Sequence, residues 1–293
     1  MHRLHLIRHL FDESAARYER DIVPVLAPLT ADFVTYAHPQ TEDRVLDVGT
    51  GTGIAARLIA PHVRRVVGLD ISFESLRVAS PPYPPTPSST RREGEKRTYV
   101  QGDINHMPLT REAFSLVIAS FGLNATEPDR SLRAIRRVTA PGGRAVIQEW
   151  GPVGPMETAL EQILMDHILD DPGSRVTALR AWIDENPSVW RDQLQDADDY
   201  RDWLEDLGFR VEEATESAPV TVRLTPEQYL TFRLAWTYRY EEVQAMDDDT
   251  RAAFYAASHA CLADYTSPDG FLHWRPTLFR VRAQSIHVED SRA

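Results

Sequence analysis

The fold is decided by residues 45–53, Val45-Leu46-Asp47-Val48-Gly49-Thr50-Gly51-Thr52-Gly53. A short β-rich run, Arg44 to Val48, enters glycines at every second position. Ile54, Ala55, Leu58 and Ile59 then recur at helical spacing until Pro61 stops them. Strand, bare turn and helix in that order bring helix amides next to backbone that no Cβ shields, so a nucleotide-like ligand can lie against the chain. The spacing is Gly-x-Gly-x-Gly and not the Gly-x-Gly-x-x-Gly of dinucleotide sites, which argues against a pyrophosphate seat and an NAD-dependent oxidoreductase.

On the carboxyl side, Val63 to Leu69 reads as a second strand ending at Asp70, where a carboxylate can accept hydrogen bonds from both ribose hydroxyls, and Ser72 can cap the helix that follows. Thr98 to Gly102 is a third strand ending at Asp103. Phe114 to Ser120 is a continuous apolar run of the kind found in a central parallel strand. Leu132, Ile135 and Val138 mark a helix, Pro141-Gly142-Gly143 a turn, and Arg144 to Gln148 a fifth strand. Strands alternating with helices predict an α/β fold with a Rossmann-like doubly wound sheet, mostly parallel, to which the alternating segment Thr277 to Ala283 adds an antiparallel C-terminal strand.

The expected organisation has four parts: an N-terminal helical lid over 1–40, broken into pieces by Pro24 and Pro28; a ligand-binding core over 41–153; a helical insertion over 154–198 capping the substrate; and a completion of sheet and helices over 199–293. Five prolines in 81–87 and dense charge in 91–97 predict an extended surface loop. Thr225-Pro226-Glu227-Gln228 starts a long aromatic helix, and another helix spans about Thr250 to Tyr265. All six tryptophans lie at or beyond Trp150, a crowding that suits an aromatic-lined cavity, although buried aromatics more often serve the core.

Composition narrows the function. Lys and Arg total 32 against 44 Asp and Glu, a net charge of −12, which opposes a nucleic-acid partner and favours a small-molecule substrate. Cys261 is the one cysteine and no Cys/His cluster has metal-ligand spacing, so no disulfide and no metal are expected and a cytoplasmic setting follows. No stretch has the length of a membrane helix, so no membrane partner is expected. The oligomeric state is left open.

The segments VLDVGTGTG, VVGLD, YVQGD, FSLVIASFGL and PGGRAVI, in this order, resemble the successive motifs of class I S-adenosyl-L-methionine (SAM)-dependent methyltransferases. The resemblance is nearest to the small-molecule type 11 branch typified by ubiquinone and menaquinone biosynthesis enzymes. It covers about residues 40–150 and the terminal helix-strand portion, and it leaves out 154–198. It implies that Gly49, Gly51 and Gly53 approach the methionine part of SAM, with Asp47 ordering the turn and the ammonium. Asp70 would take the ribose hydroxyls, Ile71 would pack on adenine, Asp103 and Ile104 would hold its amino edge, and Ser120 would line the transfer region. Asn124 and Tyr18 would close the site. Two departures are the long spacing from Asp70 to Asp103 and the threonine at position 50.

The reaction implied is transfer of a methyl group to a small organic acceptor in secondary or quinone-like metabolism, at oxygen first, then carbon or nitrogen. A SAM-binding cyclase or decarboxylase and a non-catalytic binding module are the alternatives. His167 and His106 are the candidate bases, although the apolar neighbours of His167 favour a packed histidine. Pro81-Pro82-Tyr83 does not follow the fourth strand, where an amino-methylating enzyme needs such a motif, and Cys261 sits in a C-terminal helix, away from where a cytosine-methylating nucleophile belongs.

Overall fold

The computed structural model describes residues 3–80, 96–185 and 194–286. Most of the loop expected over 81–97, the Pro81-Pro82-Tyr83 segment and Trp190 lie outside the described residues.

The core strands are β1 (Arg44–Val48), β2 (Arg65–Asp70), β3 (Arg97–Gln101), β4 (Phe114–Ser120) and β5 (Thr139–Trp150). Two more come later in the chain, β6 (Phe209–Ser217) and β9 (Leu278–Ser285). They form one seven-stranded sheet in the order β3-β2-β1-β4-β5-β9-β6. The first five are parallel, and β9 lies antiparallel between β5 and β6. This is the Rossmann-like sheet expected from the sequence. Its order reverses between β1 and β4, and ligands of open α/β sheets sit beyond the carboxyl ends of the strands at such a point.

Apolar runs bury the sheet on both faces. On one, Phe33, Val34 and Ala37 pack with Val45, Ala55, Ile59 and Leu116. On the other, Leu132, Ile135 and Val138 pack with Val117, Ala145 and Phe209. The Pro-Gly-Gly segment turns within β5 and not before it: the ladder jumps from Phe114–Thr139 to Leu116–Arg144 and Gly142 takes φ +70°.

At the N-terminus, α1 (Arg3–Arg17) runs through a π-helical turn, Tyr18–Ile22, into α2 (Val23–Tyr36). The break expected at the prolines falls at Tyr18 instead. Pro24 occupies the first turn of α2, where no amide donor is needed, and Pro28 is carried inside the helix by a heavily buried face that includes Leu26 and Leu29. Helix α2 packs Phe33 and Val34 against the sheet and Val25, Leu26 and Leu29 into a second, helical core.

The cap comprises α6 (Pro155–His167), α7 (Ser174–Glu185), α9 (Pro226–Leu234), α10 (Thr237–Ala245) and α11 (Asp248–Tyr265). The helices α3 (Ile54–Ile59), α4 (Phe73–Ala79), α5 (Pro128–Val138) and α8 (Ala197–Asp206) belong to the sandwich. The cap core joins Ile22 and Leu26 to Met156, Tyr229, Phe232 and Trp274. The aromatic helix expected after Thr225 is two helices, because Trp236 is extended (φ −69°, ψ 135°) and caps α10 without a side-chain bond. Sequence reading also missed the ribbon β7 (Val222–Leu224) and β8 (Leu272–Trp274), each too short to carry a periodic signal.

Candidate functional site

The glycine turn stands at the point where strand order reverses. Gly49, Gly51 and Gly53 take φ +69°, +54° and +84°, a region costly for any side chain. A Cβ on Gly49 would stand 2.6 Å from the Cα of Gly122, the residue two beyond β4, and one on Gly122 would stand 2.5 Å from the Val48 carbonyl. The turns after β1 and β4 thus lie backbone on backbone. Gly51 faces open space, its nearest neighbour a Tyr18 ring carbon 3.9 Å from a built Cβ.

Asp47 braces the turn from beneath. It is buried, and it accepts Thr50 Oγ1 at 2.5 Å and the Ala56 amide at 3.1 Å. Thr50, a departure from the family pattern, therefore supplies Asp47 with a donor. Burial pushes the Asp47 carboxyl up to about 6, against those two bonds.

A cleft of about 1020 Å³, counting its open mouth, runs from this turn. At one end stand Asp70 and Asp103. Asp70 Oδ2 accepts the Gly51 amide at 2.8 Å and Oδ1 the Ser72 amide at 2.9 Å. The carboxylate keeps acceptor capacity toward the cleft, and burial raises the Asp70 pKa against the Ser72, Gly51 and Ile71 amides. Ile71 and Ile104 add apolar walls between the two acids, wide enough apart in sequence yet lining one cavity. Asp103 accepts the Asn105 amide at 2.9 Å and pairs with His106 Nδ1 at 2.9 Å.

Helix α1 covers this end. Asp12 Oδ1 accepts the Ser72 hydroxyl at 2.7 Å and the Glu74 amide at 3.0 Å, so α1 is pinned to the start of α4 by a borrowed helix cap. Ile7, Phe11 and Ser14 then face the cleft. Aromatic side chains complete the lining. Tyr18 meets Trp236 edge to face at 6.1 Å, and Phe121 stacks on Trp150 at 4.2 Å with 21° between the rings. Burial holds the Tyr18 phenol protonated, raising its pKa, and the Asp70 charge adds to this.

Of the residues expected at the site, Tyr18, Gly49, Gly51, Asp70, Ile71, Asp103, Ile104 and Asn124 line the cleft. Four others stand behind it. Asp47 and Gly53 support the turn, with a Cβ on Gly53 only 2.8 Å from the Tyr99 hydroxyl. The Ser120 hydroxyl accepts Gln148 Nε2 at 3.2 Å, and His106 orients Asp103 from the solvent side. His167 is remote: its Nδ1 meets the Ile163 carbonyl at 2.7 Å and its ring lies edge to face on Phe254, inside the cap. Neither histidine is among the residues that line the cleft. The apolar neighbours of His167 along its helix are its packing partners.

Sequence reading missed Phe121, Gly122 and Asn105, while Trp236, weighed there only among the crowded aromatics, also lines the cleft. Phe121 takes φ +59°, rare for a bulky side chain and a mark of built-in strain, which no composition rule exposes. Among the described residues no group of three or more His, Cys, Asp or Glu is placed to hold a metal ion, and no helix is long and apolar enough to cross a membrane.

Comparison with known proteins agrees with this geometry. Residues 46–147, from β1 to β5, match the methyltransferase domain family. A demethylmenaquinone methyltransferase of Streptomyces avermitilis is 31% identical over 170 residues, 55% of this chain and 68% of that protein. The ubiquinone/menaquinone biosynthesis C-methyltransferase UbiE of Bdellovibrio bacteriovorus is 29% identical over 180 residues, 59% of this chain and 74% of that one. Across the first relatives the match spans between 48% and 74% of their length. Among solved structures, a putative methyltransferase of Bacillus halodurans shares the fold with TM-score 0.53 and 19% identity, covering 88% of this chain and 99% of that one.

The fold and the cleft thus define a class I nucleoside-binding α/β protein. The chain belongs to the SAM-dependent methyltransferase family, whose methyl donor is S-adenosyl-L-methionine.

Proposed function

We propose that the chain transfers the methyl group of SAM to a flat, mainly apolar organic acceptor, a quinol being the class that its relatives' names suggest. The observation that carries this reading is the continuity of one cleft from the Asp70 carboxylate to the aromatic pair Tyr18 and Trp236.

The residues present fit the donor. Asp70 keeps acceptor capacity for the ribose hydroxyls, the slot between Ile71 and Ile104 suits an adenine, and Gly51 leaves its face of the turn open. Bound there, SAM supplies a methyl group already activated by its sulfonium. The chain's own part is to align and exclude water: α1 shuts the nucleoside end, and Phe121 and Trp236 give an acceptor ring two aromatic surfaces near the glycine turn.

Among the described residues no histidine lines the cleft; its polar side chains include Ser14, Tyr18, Asn124, Thr126 and Thr237. An electron-rich ring carbon can attack first and release its ring proton to water after the new carbon–carbon bond has formed, whereas a hydroxyl acceptor needs a base before or during attack. This favours carbon over the oxygen that the sequence alone put first, in line with the name of the UbiE relative. Enzyme incubated with methyl-labelled SAM and a dithionite-reduced prenylated 1,4-naphthoquinone should give a product heavier by one labelled methyl group, placed on the ring by fragmentation. Label on oxygen would overturn the carbon assignment, and no labelled product would overturn the acceptor class.

A further inference from the structure

The glycine turn and the aromatic wall meet at one loop, 121–126, whose setting depends on a buried acid. Glu149, second from the end of β5, is 4% exposed, and its Oε1 accepts the Leu123 amide at 2.9 Å. That amide is buried and points away from every strand ladder, so without Glu149 it would lack a partner.

Leu123 is the hub of the loop. Its carbonyl accepts the Thr126 amide at 2.8 Å and the Thr126 hydroxyl at 2.6 Å. One residue earlier, Gly122 presses on Gly49. One residue before that, Phe121 is held at φ +59° by a bond from its amide to the Gln148 carbonyl, 2.9 Å, and by its stack on Trp150. Three consecutive residues of β5, Gln148, Glu149 and Trp150, thus grip the loop by a carbonyl, a carboxyl and a ring. Strain of the kind seen at Phe121 persists only when surroundings over-determine it, and the Glu149 bond fixes the backbone two residues beyond it from outside the loop.

We infer that Glu149 is a positioning residue: through Leu123 it locks loop 121–126 so that Gly122 braces the donor-binding turn while Phe121 and Asn124 face the acceptor. It touches neither the cleft nor a reacting atom, since it does not line the cavity. The inference rests on the donor site proposed above and extends it to a residue outside that site.

Geometry and charge can be told apart. Glu149→Gln keeps an oxygen at full reach, and Glu149→Asp keeps the carboxylate but withdraws it by one methylene. If positioning is the role, S-adenosylhomocysteine titrated calorimetrically should bind Glu149→Gln within about threefold of wild type, and Glu149→Asp about tenfold more weakly or worse, the cost of stranding a buried amide. In the naphthoquinol assay Glu149→Asp should lose kcat more than it raises the acceptor KM, with Glu149→Gln restoring most of it. Equal binding by the two variants, or better binding by Glu149→Asp, would overturn the inference. Should Glu149→Asp not fold, Phe121→Gly, which relieves the φ strain but removes the stack on Trp150, should lower kcat while leaving the unfolding temperature unchanged or higher; unchanged kcat would overturn it. Failure of wild type to bind S-adenosylhomocysteine would count against the donor site itself, and so is distinct from failure of the Glu149 test.

Discussion

Two parts of the cleft are built by different means. The nucleoside end is made of backbone: three glycines within five residues, one aspartate at each of two strand ends, and amides at short range, such as Gly51 and Ser72 on Asp70. The aromatic part of the lining is made of side chains from three distant segments, Tyr18 and Ile22 of the π-helical turn, where Tyr18 also borders Gly51, Phe121 after β4 and Trp236 between α9 and α10. A backbone site tolerates almost no substitution, while a side-chain site can be altered in one residue and still hold its ligand. The contrast gives an order of expected effects.

The largest should come from Gly49→Ala. Its Cβ would stand 2.6 Å from the Gly122 Cα at a φ of +69°, so binding of S-adenosylhomocysteine should vanish and stability fall by roughly 2–4 kcal/mol, read by calorimetry and thermal unfolding. Wild-type-like binding would show that the two turns do not need their close contact.

Asp70→Ala comes next. Two hydroxyl bonds to a charged group, at about 1.5–3 kcal/mol each, correspond to a loss of about 100-fold or more in S-adenosylhomocysteine affinity. Trp236→Ala should do the reverse, changing that affinity by no more than about twofold while raising the acceptor KM about tenfold. If both variants damaged both ligands alike, the division of the cleft into two parts would be wrong.

Much of this division was legible in the sequence, and for a physical reason. A turn that needs positive φ at three positions can hardly use anything but glycine, and a ribose-binding carboxylate must sit at a strand end, so both requirements write themselves into short local patterns. The aromatic part leaves no such pattern. Phe121 enters the left-handed region because Trp150 and Gln148 hold it there, contacts set by strand pairing nearly thirty residues away. Trp236 reads as one more aromatic in a helix until the chain breaks at it. His167 shows the limit of residue type: its bond to the Ile163 carbonyl and its ring on Phe254 are set by helix packing that the sequence does not spell out. His106 pairs with Asp103 and does not line the cleft.

A smaller effect concerns pH. Burial pushes the Glu149 carboxyl up to about 8, with only the Leu123 and Trp150 amides opposing it. Between its unfolded value, about 4.5, and 8, the native state holds a proton that the unfolded chain has lost, so stability contributed by this group falls as pH rises across that window. The slope should approach about −1.4 kcal/mol per pH unit before other groups offset it. Unfolding temperatures measured from pH 5 to 8 should therefore fall less steeply in Glu149→Gln than in wild type; parallel curves would mean that Glu149 is ionised throughout.

The smallest effects belong to the histidines. His106→Ala removes an exposed partner of Asp103, worth about 0.2–1 kcal/mol, and should weaken S-adenosylhomocysteine binding by no more than about fivefold. His167→Ala should leave both that affinity and the acceptor KM unchanged, and a loss of kcat would return this residue to the reaction.

The central claim is that the glycine turn and the Asp70 carboxylate hold the nucleoside of SAM. A calorimetric titration of S-adenosylhomocysteine into wild type and Asp70→Asn tests it most directly. Saturable one-to-one binding by wild type with a large loss in Asp70→Asn is the expected result; no binding by wild type, or equal binding by both proteins, would contradict it.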